Sequence, residues 1–123
     1  FVETLMQTHG LAPGNVALAG FSQGAMTALY SVYRRGLPCA AVLAYSGLLA
    51  SPDPVPFGAH HPPALIIHGA LDEVVPAAGA EATSRLLKAA GVDCQLRVEP
   101  SLAHGISQTG MAEGLRFLQG VLA

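Results

Sequence analysis

The sequence predicts an α/β fold, a mostly parallel four-stranded sheet flanked by helices. Three observations predict it. Of the 123 residues, 51% are apolar and 11% charged, which demands a packed core. The apolar runs 16–19, 41–45 and 65–67 are short and bounded by turn residues. Stretches of helical period alternate with them. Such alternation implies right-handed crossovers, with functional loops gathered at the carboxyl ends of the strands.

Val2, Leu5, Met6 and His9 fall at helical spacing before Gly10, and Pro13-Gly14-Asn15 turns the chain into the run 16–19, read as a buried strand. From Gln23, the residues Ala25, Ala28, Leu29, Val32 and Tyr33 form one face of a helix that stops at Gly36, where Pro38 prevents continuation. Runs 41–45 and 65–67 read as strands covered on both faces, joined by the proline-rich loop 51–63. After Pro76, the residues Ala78, Ala82, Leu86 and Ala90 keep helical spacing until Gly91. Residues 95–99 then alternate as a strand with one wetter face, which marks a sheet edge. Met111, Leu115, Leu118 and Leu122 give a final helix despite Gly114 and Gly120 inside it. Residues 1–123 read as one domain without repeats or low-complexity tracts.

The formal net charge of −2 arises without a basic run or interleaved aromatics, so nucleic acid is not an expected partner. The longest unbroken apolar stretch, 39–45, falls far short of the roughly 18 residues that span a bilayer. Two cysteines build no disulfide framework. Cys39 and Cys94 are placed on strands separated by another, about 9 to 10 Å apart, and are read as reduced thiols. The first residue is Phe1 and helical pattern begins at once, so the chain is expected to start inside a longer protein.

Gly20-Phe21-Ser22-Gln23-Gly24 matches G-x-S-x-G between a strand and a helix. There a sharp turn lifts a serine hydroxyl above the sheet, and side chains at 20 or 24 are expected to collide as strand and helix close. A neutral serine is a weak nucleophile and needs a base, itself oriented by a third group. Asp72 follows the third strand and His104 the fourth, so both reach the rim that holds Ser22. The chain order Ser22, Asp72, His104 is the nucleophile-acid-histidine order of this architecture. Glu73 is the nearest rival acid, and Asp72 also suits a turn ahead of Pro76. His68 is the rival histidine, although it precedes the acid. His9 reads as helix surface. Adjacent His60 and His61 lack a third ligand at recognisable spacing, so no metal is expected. The backbone N–H of Gln23, at the start of its helix, is placed to hold an oxyanion. A second donor normally comes from an earlier loop, and no H-G-G or H-G-x-G segment precedes Ser22. Turnover by residues 1–123 alone is therefore expected to be about 10² to 10³ slower than with both donors.

Together, residues 20–25, His68-Gly69 with Asp72-Val74-Val75-Pro76, and His104-Gly105-Ile106 resemble the phospholipase/carboxylesterase family, which includes acyl-protein thioesterases. The resemblance covers the carboxyl-terminal half of that family's α/β-hydrolase fold and implies a partial fold with its amino-terminal strands missing. It implies hydrolysis of carboxylic esters and thioesters of small or fatty acyl groups, without metal or organic cofactor, in the cytoplasm. By the same resemblance, Ser22, Asp72 and His104 take the roles of nucleophile, acid and base, and Gln23 supplies the oxyanion amide. Leu48 and Leu71, in loops near the rim, are expected to contact the acyl group, whereas Val75 suits core packing. Two other readings stay open. One is a different α/β hydrolase, dienelactone-hydrolase-like or peptidase-like. The other is a catalytically incomplete interaction module whose open first strand pairs with a second copy in a homodimer.

Overall fold

The computed structural model describes residues 1–51, 53–57 and 61–122. In chain order the elements are α1 (Val2–His9), β1 (Ala17–Phe21), α2 (Gln23–Tyr33), β2 (Ala41–Tyr45), β3 (Ala64–Gly69), α3 (Ala77–Ala89), β4 (Cys94–Glu99) and α4 (Gln108–Val121), with a single 3₁₀ turn at Pro13–Asn15. The four strands form one sheet in the order β1-β2-β3-β4, and every pairing is parallel. This is an all-parallel α/β sheet of four strands. Because the register sets Phe21 opposite Tyr45, Tyr45 opposite Ile67, and Gly69 opposite Glu99, the strands end along one rim.

Side-chain alternation along the central strands divides the core into two layers. On one face, Val42, Ala44 and Ile66 pack with Leu29, Val32 and Leu87 under α2 and α3. On the other, Leu43, Tyr45, Leu65 and Ile67 meet Phe117 and Leu118 of α4. Leu29, Ile66, Ile67 and Leu87 are fully buried, and each contributes about 1.5 to 3 kcal/mol through burial. The Tyr45 hydroxyl donates to the Gly110 carbonyl at 2.8 Å. A Cβ at Gly114 would strike that hydroxyl and come within 2.8 Å of Leu43 Cδ2. The helix lies this close because residue 114 has no side chain.

All five residues expected on the inner face of α2 are buried. Beyond that helix, Tyr33 donates its hydroxyl to the Pro62 carbonyl at 2.6 Å. Arg34 donates to the carbonyls of Ser51, Asp53 and Pro54. Together they hold both ends of the proline-rich loop to the end of α2. β4 is an edge strand, as its alternation indicates.

Two expectations, the burial of β1 and the placing of Cys39 on a strand, require correction, and two helices bury a face that differs from their apolar stripe. β1 is not buried: it is the other edge of the sheet among the described residues, and Ala19 and Phe21 are exposed on the face that α4, seated over β2 and β3, leaves uncovered. In α3 the buried face is Ala80, Thr83, Ser84 and Leu87 rather than the stripe through Ala78 and Ala82. Polar side chains can lie there because Thr83 Oγ1 donates to the Gly79 carbonyl at 2.8 Å and accepts the Leu49 N–H at 2.9 Å. In α4, Gly110 and Gly114 are buried, while Met111 and Leu115 are 48% and 54% exposed. Their stripe points past the sheet over the β1 edge. The cysteines are both free. Cys39 stands two residues ahead of β2 rather than within it, Cys94 opens β4, and β3 lies between those strands. Among the described residues, no helix is long and apolar enough to cross a membrane.

Candidate active site

Ser22 sits between the last residue of β1 and the first of α2, with φ 55 and ψ −116. A non-glycine residue in such a conformation costs about 1 to 3 kcal/mol, which the surrounding packing must supply. Its N–H extends the sheet ladder to the Tyr45 carbonyl at 2.8 Å, and its carbonyl begins α2 by accepting the Met26 N–H at 3.0 Å. The turn is tight enough that a Cβ on Gly20 would lie 2.5 Å from the Gly24 carbonyl oxygen and 2.6 Å from the Ala25 nitrogen. Gly24 differs from expectation, since a Cβ there meets nothing within 4 Å among the described residues. It is the backbone of residue 24, not its missing side chain, that crowds Gly20.

Asp72 lies in the turn after β3, 7% exposed. Its Oδ1 accepts the N–H groups of Val74 and Val75, each at 2.8 Å. The turn and the contact to the imidazole thus occupy different oxygens, because Oδ2 accepts from His104 Nδ1 at 2.7 Å. An ionised carboxylate only accepts, so Nδ1 carries the hydrogen, and Nε2 is left to accept the Ser22 hydroxyl 3.0 Å away. Glu73 points to solvent. Burial pushes the Asp72 carboxyl up, but the His104 hydrogen bond, the Val75 and Val74 amides and the field of His104 outweigh it. The carboxyl is held below its ordinary value of 3.8.

The loop bearing His104 is fixed at several points. Leu71 donates its N–H to the Leu102 carbonyl at 3.0 Å, joining the acid loop to the histidine loop. Ser107 caps α4 by accepting the Gly110 N–H and donates its hydroxyl to Glu99 at 2.6 Å. Ser46, buried at φ 56 just beyond β2, donates its hydroxyl to the Gly105 carbonyl at 3.1 Å. The Phe21 ring lies 4.9 Å from that of His104. Gln23, the first residue of α2, carries one of that helix's free N–H groups beside Ser22.

The remaining sequence-selected residues are more dispersed. Leu71 is 58% exposed on the acid loop. Leu48 leans over Gly79 of α3, in a shallow groove with Leu49, Thr83 and Leu86 that none of Ser22, Asp72 or His104 lines. Val75 is buried, as its core role requires. His9 is exposed. His61 donates to the Pro56 carbonyl at 2.7 Å and meets Tyr33 edge-on, whereas His60 lies outside the described residues. Among the described residues no three His, Cys, Asp or Glu side chains gather as a metal-binding group.

Sequence reasoning missed a groove of about 280 Å³, nearly all apolar, that Phe21, Tyr45, Ile106, Met111 and Leu115 line beside His104. Its signal is present in the Met111 and Leu115 stripe, whose spacing predicts a helix but not which face of it meets the sheet. Ser46 was also missed, and His68 was considered only as a rival base. His68 is fully buried: its Nε2 lies 2.6 Å from the Val75 carbonyl and 3.3 Å from Asp72 Oδ2, while Nδ1 is buried without a partner. An unpaired buried polar atom costs about 1 to 3 kcal/mol.

The profile of the phospholipase/carboxylesterase family matches residues 2–122. The chain is 32% identical to the esterase YpfH of Escherichia coli K12, over 97% of this chain and 52% of that protein. It is 36% identical to the carboxylesterase SOBER1 of Arabidopsis thaliana, over 80% and 45%. The crystal structure of esterase PE8 superposes with a TM-score of 0.89 at 39% identity, covering 99% of this chain and 57% of that one. The acyl-protein thioesterase 2 of Zea mays superposes at 0.74 with 25% identity, over 98% and 63%. The chain belongs to the phospholipase/carboxylesterase family and spans about half the length of the curated relatives it matches.

The lowered Asp72 value carries a pH signature. A carboxyl depressed in the folded state contributes stability above its ordinary value and loses it as pH falls through the depressed one. Urea unfolding at about pH 7 should find Asp72→Asn less stable than the wild type, with the gap narrowing from about pH 4 downward. A gap that stays constant across that range would contradict this assignment.

Proposed function

We propose that this member of the phospholipase/carboxylesterase family acts as a serine carboxylesterase or thioesterase, with Ser22 as nucleophile, His104 as general base and Asp72 orienting it. The observation carrying the reading is the unbroken hydrogen-bonded run from the Ser22 hydroxyl to His104 at 3.0 Å and on to Asp72 at 2.7 Å. Nε2 takes the hydroxyl proton as Ser22 Oγ attacks the acyl carbonyl, and Asp72 stabilises the imidazolium that forms. The Gln23 N–H holds the developing oxyanion, where a fixed donor matters most. His104 returns the proton to the departing alkoxide or thiolate. It then activates the water that cleaves the acyl-enzyme.

The substrate class follows from an apolar rim. Leu71, exposed on the turn that carries Asp72, and Phe21, whose ring lies 4.9 Å from that of His104, favour an acyl chain over a charged group. No cofactor is needed for these steps. Residues 1–123 supply the carboxyl-terminal part of one catalytic domain, in keeping with the share of the relatives they span, and the resemblance to the family implies a cytoplasmic site of action.

A fluorophosphonate probe should label Ser22 in the longest natural polypeptide that contains this chain. There Ser22→Ala should remove labelling and lower kcat on p-nitrophenyl esters by about 10⁶-fold. Labelling that survives the substitution would rule out this nucleophile. A parallel set of acyl thioesters and peptides separates esterase, thioesterase and peptidase activities.

The isolated 123-residue chain is also proposed to self-associate. β1 is an edge strand among the described residues, with exposed Phe21, Met111 and Leu115 alongside, and an open apolar edge templates pairing with another copy. Sedimentation equilibrium should show mass rising with concentration. A monomer at every concentration would end this second proposal and leave the first untouched.

A further inference from the structure

The imidazole of His68 is not absorbed by the proposed reaction, although its Nε2 lies 3.3 Å from Asp72 Oδ2. It is the penultimate residue of β3 and has no exposed surface. A carbonyl oxygen only accepts, so the 2.6 Å approach of Nε2 to the Val75 carbonyl places the ring hydrogen on Nε2. The same nitrogen sits 3.3 Å from Asp72 Oδ2, the oxygen that receives His104. Val75 is held from its other side as well, since its N–H donates to Asp72 Oδ1 at 2.8 Å. The peptide groups of Val75 are therefore clamped between the strand and the carboxylate. Meanwhile Nδ1 stays buried with no partner among the described residues, so the ring is oriented by what Nε2 gains and not by satisfying both nitrogens.

We infer that His68 is a positioning residue for the acid: its Nε2–H, fixed on the Val75 carbonyl, locks the 70–76 turn so that Asp72 Oδ2 meets His104 Nδ1 and not solvent. This rests on the Ser22, His104 and Asp72 reading above. Nothing in the proposal requires His68 to touch substrate or exchange a proton. Its effect travels through one carbonyl and one turn. Two neighbouring residues tie down the histidine side of the same contact, Ser46 on Gly105 and Glu99 on Ser107, and His68 provides the corresponding tie on the acid side.

The test exploits side-chain reach. A glutamine amide extends to where Nε2 lies, whereas an asparagine amide stops near Nδ1. In the longest natural polypeptide containing this chain, His68→Asn should lower kcat on p-nitrophenyl butyrate by roughly 10- to 100-fold with little change in KM, as expected for a misplaced catalytic group. It should also weaken or remove the low-field proton resonance of the His104–Asp72 hydrogen bond. His68→Gln should recover most of kcat and the resonance. Equal kcat in both variants, or a loss in both with the resonance intact, overturns the inference. A measurement on the wild type needs no variant to fold: ring ¹⁵N shifts of His68 should report hydrogen on Nε2 and a bare Nδ1, and the opposite tautomer overturns it. Fluorophosphonate labelling and Asp72→Asn kinetics on the same preparation separate the two failures. If those fail, the catalytic reading is lost; if they succeed while His68→Asn behaves as wild type, only this inference is.

Discussion

The contact between His104 Nδ1 and Asp72 Oδ2 is the interaction on which the rest of the rim depends. It joins two loops that follow different strands, and it places a charge where little water reaches it. A buried carboxylate is costly unless its lone pairs are used. Asp72 meets that condition with two backbone amides on one oxygen and an imidazole on the other. The same arrangement fixes the ring so that Nε2 faces Ser22. Charge, ring orientation and the approach to the Ser22 hydroxyl are thus one constraint.

The parallel sheet makes that constraint attainable. Strands that run the same way end on the same side, so β1, β3 and β4 deliver serine, acid and histidine to a common edge, while β2 contributes the Ser46 tie. The rim is rigid because the layers beneath it are. α2 and α3 press on one face through Leu29 and Leu87, and α4 on the other through Phe117 and Leu118. Against this support the strained backbone of Ser22 can be held in place, its conformation set by the ladder bond to Tyr45 and the start of α2.

Much of this was legible in the order of residues because period and punctuation agree there. The α2 face, the bounds of β2, the strand-turn-helix around Ser22 and the succession of serine, acid and histidine all follow from local pattern. What failed to show was decided by tertiary neighbours. Thr83 and Ser84 are polar, so a hydrophobic stripe cannot reveal that α3 buries them, yet Thr83 is satisfied on both sides. Met111 and Leu115 have the spacing of a core stripe, but among the described residues the sheet does not extend beneath them. Residues 16–19 have the composition of a covered strand, and only the order of the described strands reveals an edge. His68 reads as a strand end, since its link to Val75 depends on how a seven-residue span folds back.

The most direct test of the central claim is a crystal structure of the protein after reaction with a fluorophosphonate. The account predicts phosphorus bonded to Ser22 Oγ, its oxygen accepting from the Gln23 N–H, and His104 still bridging to Asp72. Phosphorus on another residue, or a His104 ring turned away from Asp72 in the adduct, would contradict it.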